Sequence, residues 1–414
     1  PPGDGSTVSI FSWAVGPPPP PLDQDTSWQA VNKAIGATLQ PNMVPYADYL
    51  GTKLATLMAS GDLPDITVIV TDPTVTLVPE FFESQCADLT PYLSGDAIKS
   101  YPNLAAFPQR TWSSTVYNGK IFGVPGPLTP FVWWFLTHQE LLDQAGLSQP
   151  KSAADLKKQL VALTKPPAGQ FGMVSEGAAQ YTYGIGMGLF PSIFGAPNNW
   201  GVDKSSGKFT GTFETPQYKD CVAYVRDLYA AGVYHPDTPG LNTLTADQNF
   251  VARKSCYRYS GLDGIYDTPP KMTPPIDIEW VHQFGAEGGK GSYWFGRPNG
   301  VFSAISKKAD AKRVQMLLGI LNFLASPFGS KEYVLVHYGV EGTDFNYDDK
   351  GNPKLTPKGQ TENVFWGGIT SNAPVIFDPN SPKGKDYPTT IQSWEKEMQS
   401  VGVEDPAIGL FSRT

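Results

Sequence analysis

Residues 49–72 carry the pattern that most limits how this chain can fold. Four apolar residues recur at helical spacing and form one stripe on a predicted helix, namely Leu50, Leu54, Leu57 and Met58. Gly61 stands just beyond the stripe, where a left-handed residue ends a helix without steric cost. The β-branched run 65–70 then predicts a buried strand. A helix followed directly by such a strand is half of a βαβ unit, so the stretch predicts an α/β fold.

The end of this strand is a predicted ligand contact. Thr71 and Asp72 follow it directly, and open α/β sheets bind ligands at the carboxyl ends of their strands. We therefore take both residues as candidates for ligand binding. For Asp72 the alternative is a solvated carboxylate with no role in binding.

Size and charge limit the classes of protein that fit. A chain of 414 residues exceeds a single core and predicts two or three domains. A hydrophobic fraction of 40% excludes global disorder, and a net charge of −8 argues against nucleic acid or an anionic membrane as partner. No apolar run approaches the roughly 20 residues of a membrane-spanning helix. No signal-peptide pattern opens the sequence, so targeting does not indicate a compartment.

Cysteines are few and aromatic residues are many. Cys86, Cys221 and Cys256 are too few for a disulfide scaffold and lack metal-binding spacing. The chain holds 10 Trp, 19 Tyr and 22 Phe, and several of them stand in predicted loops instead of periodic stripes. Aromatic residues in loops favour a role in binding.

Local signals predict further strands. Residues 7–13 and 37–44 predict the first two strands, with Trp13 at the carboxyl end of the first. Asn118-Gly119 between two apolar runs predicts a tight hairpin.

Helices in the middle of the chain have clear starts. Ser152 and Thr215 are predicted caps. The helix after Thr215 has an apolar stripe, which consists of Tyr218, Cys221, Val222, Val225, Leu228 and Tyr229. Residues 181–200, between the two helices, are rich in glycine and aromatic residues, which indicates a binding loop containing Tyr183 and Trp200.

A proline-rich stretch divides the chain. Residues 125–136 pass through three prolines into an aromatic strand, where Trp133 and Trp134 are predicted on opposite faces. Strands alternate with helices on both sides of this stretch, so we predict two α/β lobes joined by about three crossings. The predicted lobes are residues 1–129 with 302–370, and residues 130–301 with 371–414.

Five short motifs, in this order, resemble one family. They are LATLMASGDLPDI at 54–66, YNGKIFGVP at 117–125, LLDQAGL at 141–147, TPQYK at 215–219 and YGVEG at 338–342. Together they resemble the extracellular solute-binding proteins of ABC importers, of the larger sugar-binding type. The last motif resembles a subgroup associated with pectin-derived, xylan-derived and uronic-acid oligosaccharides. One departure is His138-Gln139-Glu140-Leu141, where the family usually has Arg-Lys-Asp-Trp.

The resemblance implies an architecture and a function. It implies an α/β, two-lobed, periplasmic-binding-protein-like fold with a hinge and an interlobe cleft that closes around a carbohydrate. It further implies a monomer without cofactor or bound metal, delivering its sugar to the membrane permease of an ABC importer. The implied location is extracytoplasmic, periplasmic or held at the cell surface as a lipoprotein. In such a compartment Cys221 and Cys256 form either a disulfide or, equally, buried free thiols.

A sugar site requires aromatic faces and hydrogen-bonding groups. The candidate stacking residues are Trp13, Trp133, Trp134, Trp200, Trp294 and Trp366, with Tyr183 beside them. For each one alone, core packing is the alternative. Asp263 joins Thr71 and Asp72 as a polar candidate, although an aspartate before glycine is also typical of a turn. Arg297 is the candidate to bind a uronate carboxylate with two hydrogen bonds, or else a surface residue.

Motifs for other functions are incomplete. The chain has no G-x-S-x-G and no H-E-x-x-H, and its glycine-rich stretches lack nucleotide-binding spacing. Residues 344–348 suit the start of a calcium loop, but Asp349 and Leu355 replace the required glycine and glutamate, so a hairpin turn is expected. The rival function is a secreted glycoside hydrolase or lyase, which needs two carboxylates at a fixed separation. A surface protein without a ligand is the third alternative.

Overall fold

A computed structural model gives the fold of most of the chain. It describes residues 1–14, 19–71, 79–127, 129–177, 184–261, 278–349, 351–362, 364, 366–370, 387–408 and 410. Its strands are β1 (Thr7–Ala14), β2 (Thr38–Pro45), β3 (Ile66–Val70), β4 (Val116–Tyr117), β5 (Lys120–Ile121), β6 (Val124–Pro127), β7 (Trp134–His138), β8 (Phe171–Val174), β9 (Trp200–Val202), β10 (Phe209–Gly211), β11 (Ser255–Ser260), β12 (Ile278–Trp280), β13 (Tyr293–Trp294), β14 (Asn299–Ile305), β15 (Phe345–Tyr347), β16 (Pro353–Leu355) and β17 (Gly402–Val403).

The chain divides into two compact units. The first unit consists of Pro1–Thr129, Arg297–Val375 and Ile408–Thr414, and the second consists of Pro130–Gly296 and Ile376–Ala407. Strand β14 runs across the lobe boundary predicted after Val301, and all of it belongs to the first unit. The predicted lobe boundaries stay a prediction.

The first unit is built on a five-stranded sheet. The strand order is β2-β1-β3-β14-β6, with β1 parallel to β2 and β3, and with β14 antiparallel to β3 and β6. The carboxyl ends of β1, β2 and β3 therefore lie at one edge. Its α-helices are Thr26–Ile35, Tyr46–Asp48, Leu54–Ser60, Pro79–Gln85, Thr90–Leu93, Pro102–Ala105, Gln109–Trp112, Ala311–Leu324, Lys331–Tyr338 and Pro357–Glu362.

The helix and strand predicted from residues 49–72 are confirmed. Helix Leu54–Ser60 follows a π-helical turn at Tyr49–Lys53 and ends at Gly61, whose φ of 68° is left-handed. All five residues of β3 are buried. The Asn118-Gly119 hairpin is also confirmed, because both residues have positive φ between β4 and β5.

An ion pair holds the amino-terminal ends of β1 and β3 to helix Ala311–Leu324. The Arg313 guanidinium donates to both carboxylate oxygens of Asp65, at 3.0 and 2.9 Å. Ser9 donates its backbone N–H and its hydroxyl to the same carboxylate, at 2.9 and 3.0 Å. Burial raises the pKa of Asp65, but these hydrogen bonds and the Arg313 charge outweigh it, so the pKa is lowered.

The second unit has a four-stranded sheet in the order β12-β7-β11-β8. Strand β7 is antiparallel to β11 and β12, and β8 is parallel to β11. Its α-helices are Gln139–Gln144, Ala153–Leu163, Phe190–Ile193, Pro216–Ala230, Thr243–Val251 and Tyr387–Ser400. The predicted caps are confirmed, because Ser152 accepts from the Asp155 N–H and Thr215 from the Tyr218 N–H.

Two predictions about the second unit are only partly right. In helix Pro216–Ala230 the buried stripe is Cys221, Val225 and Leu228, whereas Val222 and Tyr229 are exposed. The residues of 181–200 that the structure describes include a short buried helix, so this stretch is partly core. The residues that are buried on one face of this helix form a narrower stripe than the six apolar residues in the sequence predict.

Short helical turns complete the description of both units. They are Leu22–Gln24, Ala97–Ser100, Ser113–Thr115, Pro166–Ala168, Gly184–Gly186, Thr212–Glu214, Thr238–Gly240 and Trp366–Gly368. Among the helices of the described chain, none combines the length and the apolar character that crossing a membrane requires.

The three cysteines are free thiols. Cys86, Cys221 and Cys256 are all buried and unbridged, so the disulfide considered for Cys221 and Cys256 is absent. Burial raises the pKa of each thiol to about 12.

We expect these thiols to be unreactive until the protein unfolds. With a pKa of about 12, only about one thiol in 10,000 is ionised at pH 8, and burial also blocks access. A colorimetric thiol reagent should modify none within minutes in the native protein and three in denaturant without reductant. A count of one in denaturant would show that a bridge had formed.

We expect Arg313→Ala to destabilise the protein by about 2 kcal/mol, because the partly buried Asp65 loses its charged partner. Urea denaturation measures the effect. Lys308→Ala is the matched control, since Lys308 pairs with Asp62 on the open surface and should leave the urea midpoint close to that of the wild type. Equal stability of the two variants would contradict the role given to Arg313.

Candidate functional site

The sheet of the second unit brings aromatic residues to one edge. Strands β8 and β11 are parallel and end at this edge, and β7 begins there because it is antiparallel to β11. Trp133, directly before β7, therefore lies near Tyr259 at the end of β11. In open α/β sheets this edge is where ligands bind.

Two stacked pairs of rings run from the core to this edge. Phe135 and Tyr257 are buried, with ring centres 5.4 Å apart and planes inclined by 28°. Trp133 and Tyr259 are half-buried, with centres 5.8 Å apart and an angle of 24°. Tyr259 pairs across the sheet with Phe135, so the four side chains share one face. The outer pair continues the packing of the core out to the surface.

Three rings at this edge donate hydrogen bonds to the backbone. Each donates to a carbonyl oxygen: Tyr259 to Gly188 at 3.1 Å, Tyr293 to Trp133 at 2.8 Å and Trp294 to Ala196 at 3.1 Å. These bonds fix the ring orientations. We call Trp133, Tyr259, Tyr293 and Trp294 the aromatic edge.

The rings pack closely around a very small cavity. Its volume is about 10 Å³, enough for about one water molecule. Its lining consists of Trp133, Phe135, Gly188, Leu189, Ser192, Tyr259, Gln283, Tyr293 and Trp294. None of these lining residues is ionisable at neutral pH.

A buried ionic cluster lies beside the aromatic edge, at Arg258, the residue before Tyr259. Arg258 is 0% exposed and donates to Glu176 at 2.6 Å and to Asp247 at 2.9 Å. The Ser260 hydroxyl also donates to Asp247, at 2.8 Å. Burial raises the pKa of Asp247, although the Arg258 charge opposes this effect.

Two of the predicted stacking residues of the second unit come together here. Trp133 and Trp294 both line the small cavity. Trp134 lies on the opposite face of β7, 2% exposed, with its ring centre 6.1 Å from that of Trp394. Alternation along the strand places one tryptophan in the core and leaves the other half-buried.

The other predicted residues of the second unit lie elsewhere. Trp200 is 39% exposed on β9 and packs edge-on against Phe209, with ring centres 6.1 Å apart. Tyr183 and Asp263 fall outside the residues that the structure describes.

The first unit also has an aromatic pair at the carboxyl ends of its parallel strands. Trp13, near the end of β1, is half-buried and packs edge-on against Tyr46 at 5.0 Å, just after β2. Thr71 directly follows β3, and its hydroxyl donates to the carbonyl oxygen of Asn299 at 2.8 Å. The edge predicted to bind ligand therefore carries both an aromatic and a polar side chain.

Three predicted residues of the first unit do not join this group. Trp366 is 1% exposed in the core, edge-on to Trp28 with ring centres 6.2 Å apart. Arg297 is exposed at the start of the segment Arg297–Val375. Asp72 lies outside the described residues.

Sequence analysis missed Tyr259 and Tyr293. Tyr257 and Tyr259 alternate along the run SCYRYS of β11, which puts both on one face. That signal was available, but the partner strand that makes the face an aromatic one lies far away in the sequence. Tyr293 gave no comparable signal, because β13 has only two residues.

The departure at residues 138–141 is accommodated by other contacts. The Nε2 of His138, which is buried, donates to the carbonyl oxygen of Phe250 at 2.7 Å. Glu140 pairs with Arg253 at 3.0 Å. This stretch therefore has a salt bridge without the arginine usual in the family.

The hairpin expected at residues 344–352 is confirmed. Strands β15 and β16 pair, Asp344 accepts from the Val340 N–H at 2.7 Å, and Asp348 accepts from the Asn352 N–H at 2.8 Å. Among the described residues, no three histidine, cysteine or acidic side chains are grouped so as to hold a metal ion.

The two mixed sheets with their helices have the periplasmic-binding-protein-like α/β fold, as predicted. The sequence profile of the bacterial extracellular solute-binding proteins matches residues 22–331. The chain belongs to this family.

Named relatives and solved structures agree with this assignment. The chain is 24% identical to the polygalacturonan/rhamnogalacturonan-binding protein YtcQ of Bacillus subtilis, over 94% of this chain and 77% of the relative. It is 23% identical to lipoprotein LipO of the same organism, over 99% and 82%. The ABC substrate-binding protein Lmo0181 of Listeria monocytogenes, solved with cycloalternan, superposes with a TM-score of 0.60 at 15% identity, over 98% of this chain and 89% of that one.

We expect Arg258→Met to destabilise the protein by about 3–5 kcal/mol, because two buried carboxylates lose their shared cation. Thermal denaturation measures the loss. Arg226→Met is the matched control, since Arg226 is exposed and pairs with the adjacent Asp227, so its melting temperature should stay close to that of the wild type. A wild-type melting temperature for Arg258→Met would contradict this account of the cluster.

Proposed function

We propose that this protein is the substrate-binding component of an ABC importer and that it captures an oligosaccharide. The observation that carries the proposal is the stacked pair Trp133 and Tyr259 at the carboxyl edge of the second sheet. The C–H-rich face of a pyranose packs on such rings. The relative named for binding polygalacturonan and rhamnogalacturonan, and the similar structure solved with cycloalternan, support a carbohydrate ligand.

The aromatic edge supplies binding energy of the right order. Covering half of a tryptophan of roughly 200 Å² contributes about 2.5 kcal/mol at about 25 cal/mol per Å². Immobilising the ligand costs at least about 4 kcal/mol, so one ring is insufficient. Two or three rings with hydrogen bonds reach about −8 kcal/mol, which corresponds to a micromolar dissociation constant. We propose that Trp133, Tyr259 and Trp294 supply these rings.

The edge of the first unit carries candidate ligand-binding residues of its own. Trp13 offers a ring, and Thr71 offers a hydroxyl oxygen that can still accept a hydrogen bond. The assignments of Asp72, Tyr183, Trp200, Asp263 and Arg297 stay predictions. Trp134 and Trp366 are left out of the proposal, because their rings have no exposed face.

Location and partner follow from the same proposal. The family is extracellular, and one relative is named a lipoprotein, which supports an extracytoplasmic protein held at the membrane surface. Delivery then requires a membrane permease that recognises the ligand-bound form. The sugar favours that form only as far as it binds that conformation more tightly than the others.

Binding without catalysis is part of the proposal. A glycoside hydrolase needs an acid and a second carboxylate on either side of the bond. Among the described residues that line the small cavity, none is a carboxylate. This supports capture of the sugar over its hydrolysis.

We expect Trp133→Ala and Tyr259→Ala each to weaken oligosaccharide binding about tenfold or more, because each removes one face of the stacked pair. Isothermal titration calorimetry with a sugar first identified by melting shift in a glycan panel provides the measurement. Tyr229→Ala is the matched control, a tyrosine 55% exposed on a helix of the same unit, and should bind as the wild type does.

Two results would contradict the proposed function. Unchanged affinity in both edge variants, with melting temperatures that show them folded, would remove the aromatic edge from the site. New reducing ends in excess of the protein would favour the hydrolase or lyase instead.

A further inference from the structure

Gln283 lies beside Trp133 on the face of the sheet that carries the rings. Strand β12 is antiparallel to β7 and ends at the edge where β7 begins. The pairing continues beyond β12, because the Val281 N–H donates to the carbonyl oxygen of Phe135 at 2.7 Å. Two residues further along each chain, the same register sets Gln283 opposite Trp133. Opposite residues of an antiparallel pair share a face, and both side chains line the small cavity.

The position of Gln283 is at the rim of the ring surface. Strand β7 lies between β12 and β11 in the sheet, so Gln283 and Tyr259 flank Trp133 from its two neighbours. The preceding residue, His282, is exposed on the opposite face, where its Nδ1 lies 2.8 Å from a Glu397 carboxylate oxygen. Gln283 itself is half-buried. It can therefore contact a ligand that rests on the ring of Trp133.

The amide of Gln283 has unused hydrogen-bonding capacity. A glutamine side chain has two donor hydrogens and an oxygen that accepts two hydrogen bonds. Within the described chain this amide makes one bond, from Nε2 to the carbonyl oxygen of Val281 at 3.4 Å, which is longer than the usual range. Ser192, the other polar aliphatic side chain that lines the cavity, is 4% exposed and already donates to Leu189 at 2.7 Å. Gln283 is thus the polar group of this lining that can serve a ligand.

An amide at the rim of a ring surface suits the hydroxyls of a stacked sugar. A pyranose that lies on an aromatic ring directs its equatorial hydroxyls outward along its rim and its axial hydroxyls along the ring normal. In a 1,4-linked chain the free neighbouring hydroxyls are those at C2 and C3. An amide can donate to one of them and accept from the other. Polar groups of this kind fix the orientation of a ligand in a largely apolar site.

We infer that Gln283 is the specificity-determining residue of the aromatic edge and that its amide binds the equatorial C2 and C3 hydroxyls of the sugar residue stacked on Trp133. The inference rests on the proposed function and specifies its substrate class as pyranosides with an equatorial hydroxyl pair at C2 and C3. The ring faces supply affinity that is shared by all epimers. The amide rejects an epimer that leaves its hydrogen bonds unmade.

Two trisaccharides that differ at one carbon in each sugar residue test the inference. In β-1,4-glucotriose the C2 and C3 hydroxyls are both equatorial, whereas in β-1,4-mannotriose the C2 hydroxyl is axial. β-1,4-Galactotriose and α-1,4-tri-galacturonate, which also have the equatorial pair, extend the set to a second configuration and to an acidic sugar. Isothermal titration calorimetry should show the best of these three equatorial-pair ligands binding at least about fivefold more tightly than mannotriose.

Substitution of Gln283 should remove this preference. Gln283→Met keeps the size and loses both hydrogen bonds, so the best ligand should bind about tenfold more weakly and its ratio to mannotriose should fall to within about twofold. Gln283→Glu keeps the shape and the acceptor oxygens without the donors, and its ratio should lie between those of Gln283→Met and the wild type. Melting temperatures show whether each variant is folded.

Gln149→Met is the matched control. Gln149 is a half-buried glutamine of the same unit whose amide is bonded to the backbone on both sides. Its Nε2 donates to the carbonyl oxygen of Trp280 at 3.1 Å, and its oxygen accepts from the His282 N–H at 3.3 Å. This variant should keep the wild-type ratio between the best ligand and mannotriose.

The outcomes separate this inference from the proposed function. Trp133→Ala should weaken all bound saccharides by a similar factor, because stacking does not depend on one hydroxyl. A wild-type ratio in folded Gln283→Met, mannotriose binding as tight as that of the other three, or binding confined to sugars without the equatorial pair would overturn the inference and leave the proposed function standing. If no saccharide of the glycan panel binds, the proposed function fails, and the inference fails with it.

Discussion

The register between β7 and β11 is the constraint on which the second unit depends. It sets Tyr259 opposite Phe135 and Ser260 opposite Trp134. A shift of one residue would exchange the two faces of a strand, which would place Arg258 among the rings and Tyr259 in the ionic cluster. Both the aromatic edge and the buried charges therefore result from one set of backbone hydrogen bonds.

The two faces of that sheet carry different kinds of side chain. One face packs the rings of Phe135 and Tyr257 in the core and continues as the half-buried pair at the edge. The other face carries Arg258, which joins β11 to Glu176 after β8 and to Asp247 on helix Thr243–Val251. Such a network is sensitive to the loss of any member, because a buried charge without its partner is strongly unfavourable. The edge is thus supported by contacts that fix strand ends.

Local signals in the sequence predicted much of the fold. The caps at Ser152 and Thr215, the Gly61 helix end and the Asn118-Gly119 hairpin depend on residues within a few positions of each other, and all are confirmed. The site was harder to predict. Alternation showed that Trp133 and Trp134 face opposite ways, but the choice between core and surface depends on strands and helices distant in the chain.

Aromatic content alone also overestimates the number of residues that belong to the candidate site. Trp366 and Trp294 were both predicted to bind ligand because the chain is rich in aromatic residues. Trp366 nevertheless packs in the core of the first unit beside Trp28. Tyr259 is one of 19 tyrosines, and nothing in the sequence singles it out as a candidate. Its position at the edge becomes evident only from the pairing of β11 with β7. A single sequence does not show which strands pair, so it does not reveal residues whose role depends on pairing across the sheet.

The hydrogen bonds that hold the rings at the aromatic edge have a consequence for recognition. Because the hydroxyls of Tyr259 and Tyr293 already donate to carbonyl oxygens, the surface is ordered before any ligand arrives, and little side-chain freedom is lost on contact. A ring face makes apolar contact with the face of a sugar, but it has few groups that distinguish an axial from an equatorial hydroxyl. Discrimination between epimers, such as glucose from galactose, therefore falls to polar groups outside these four rings.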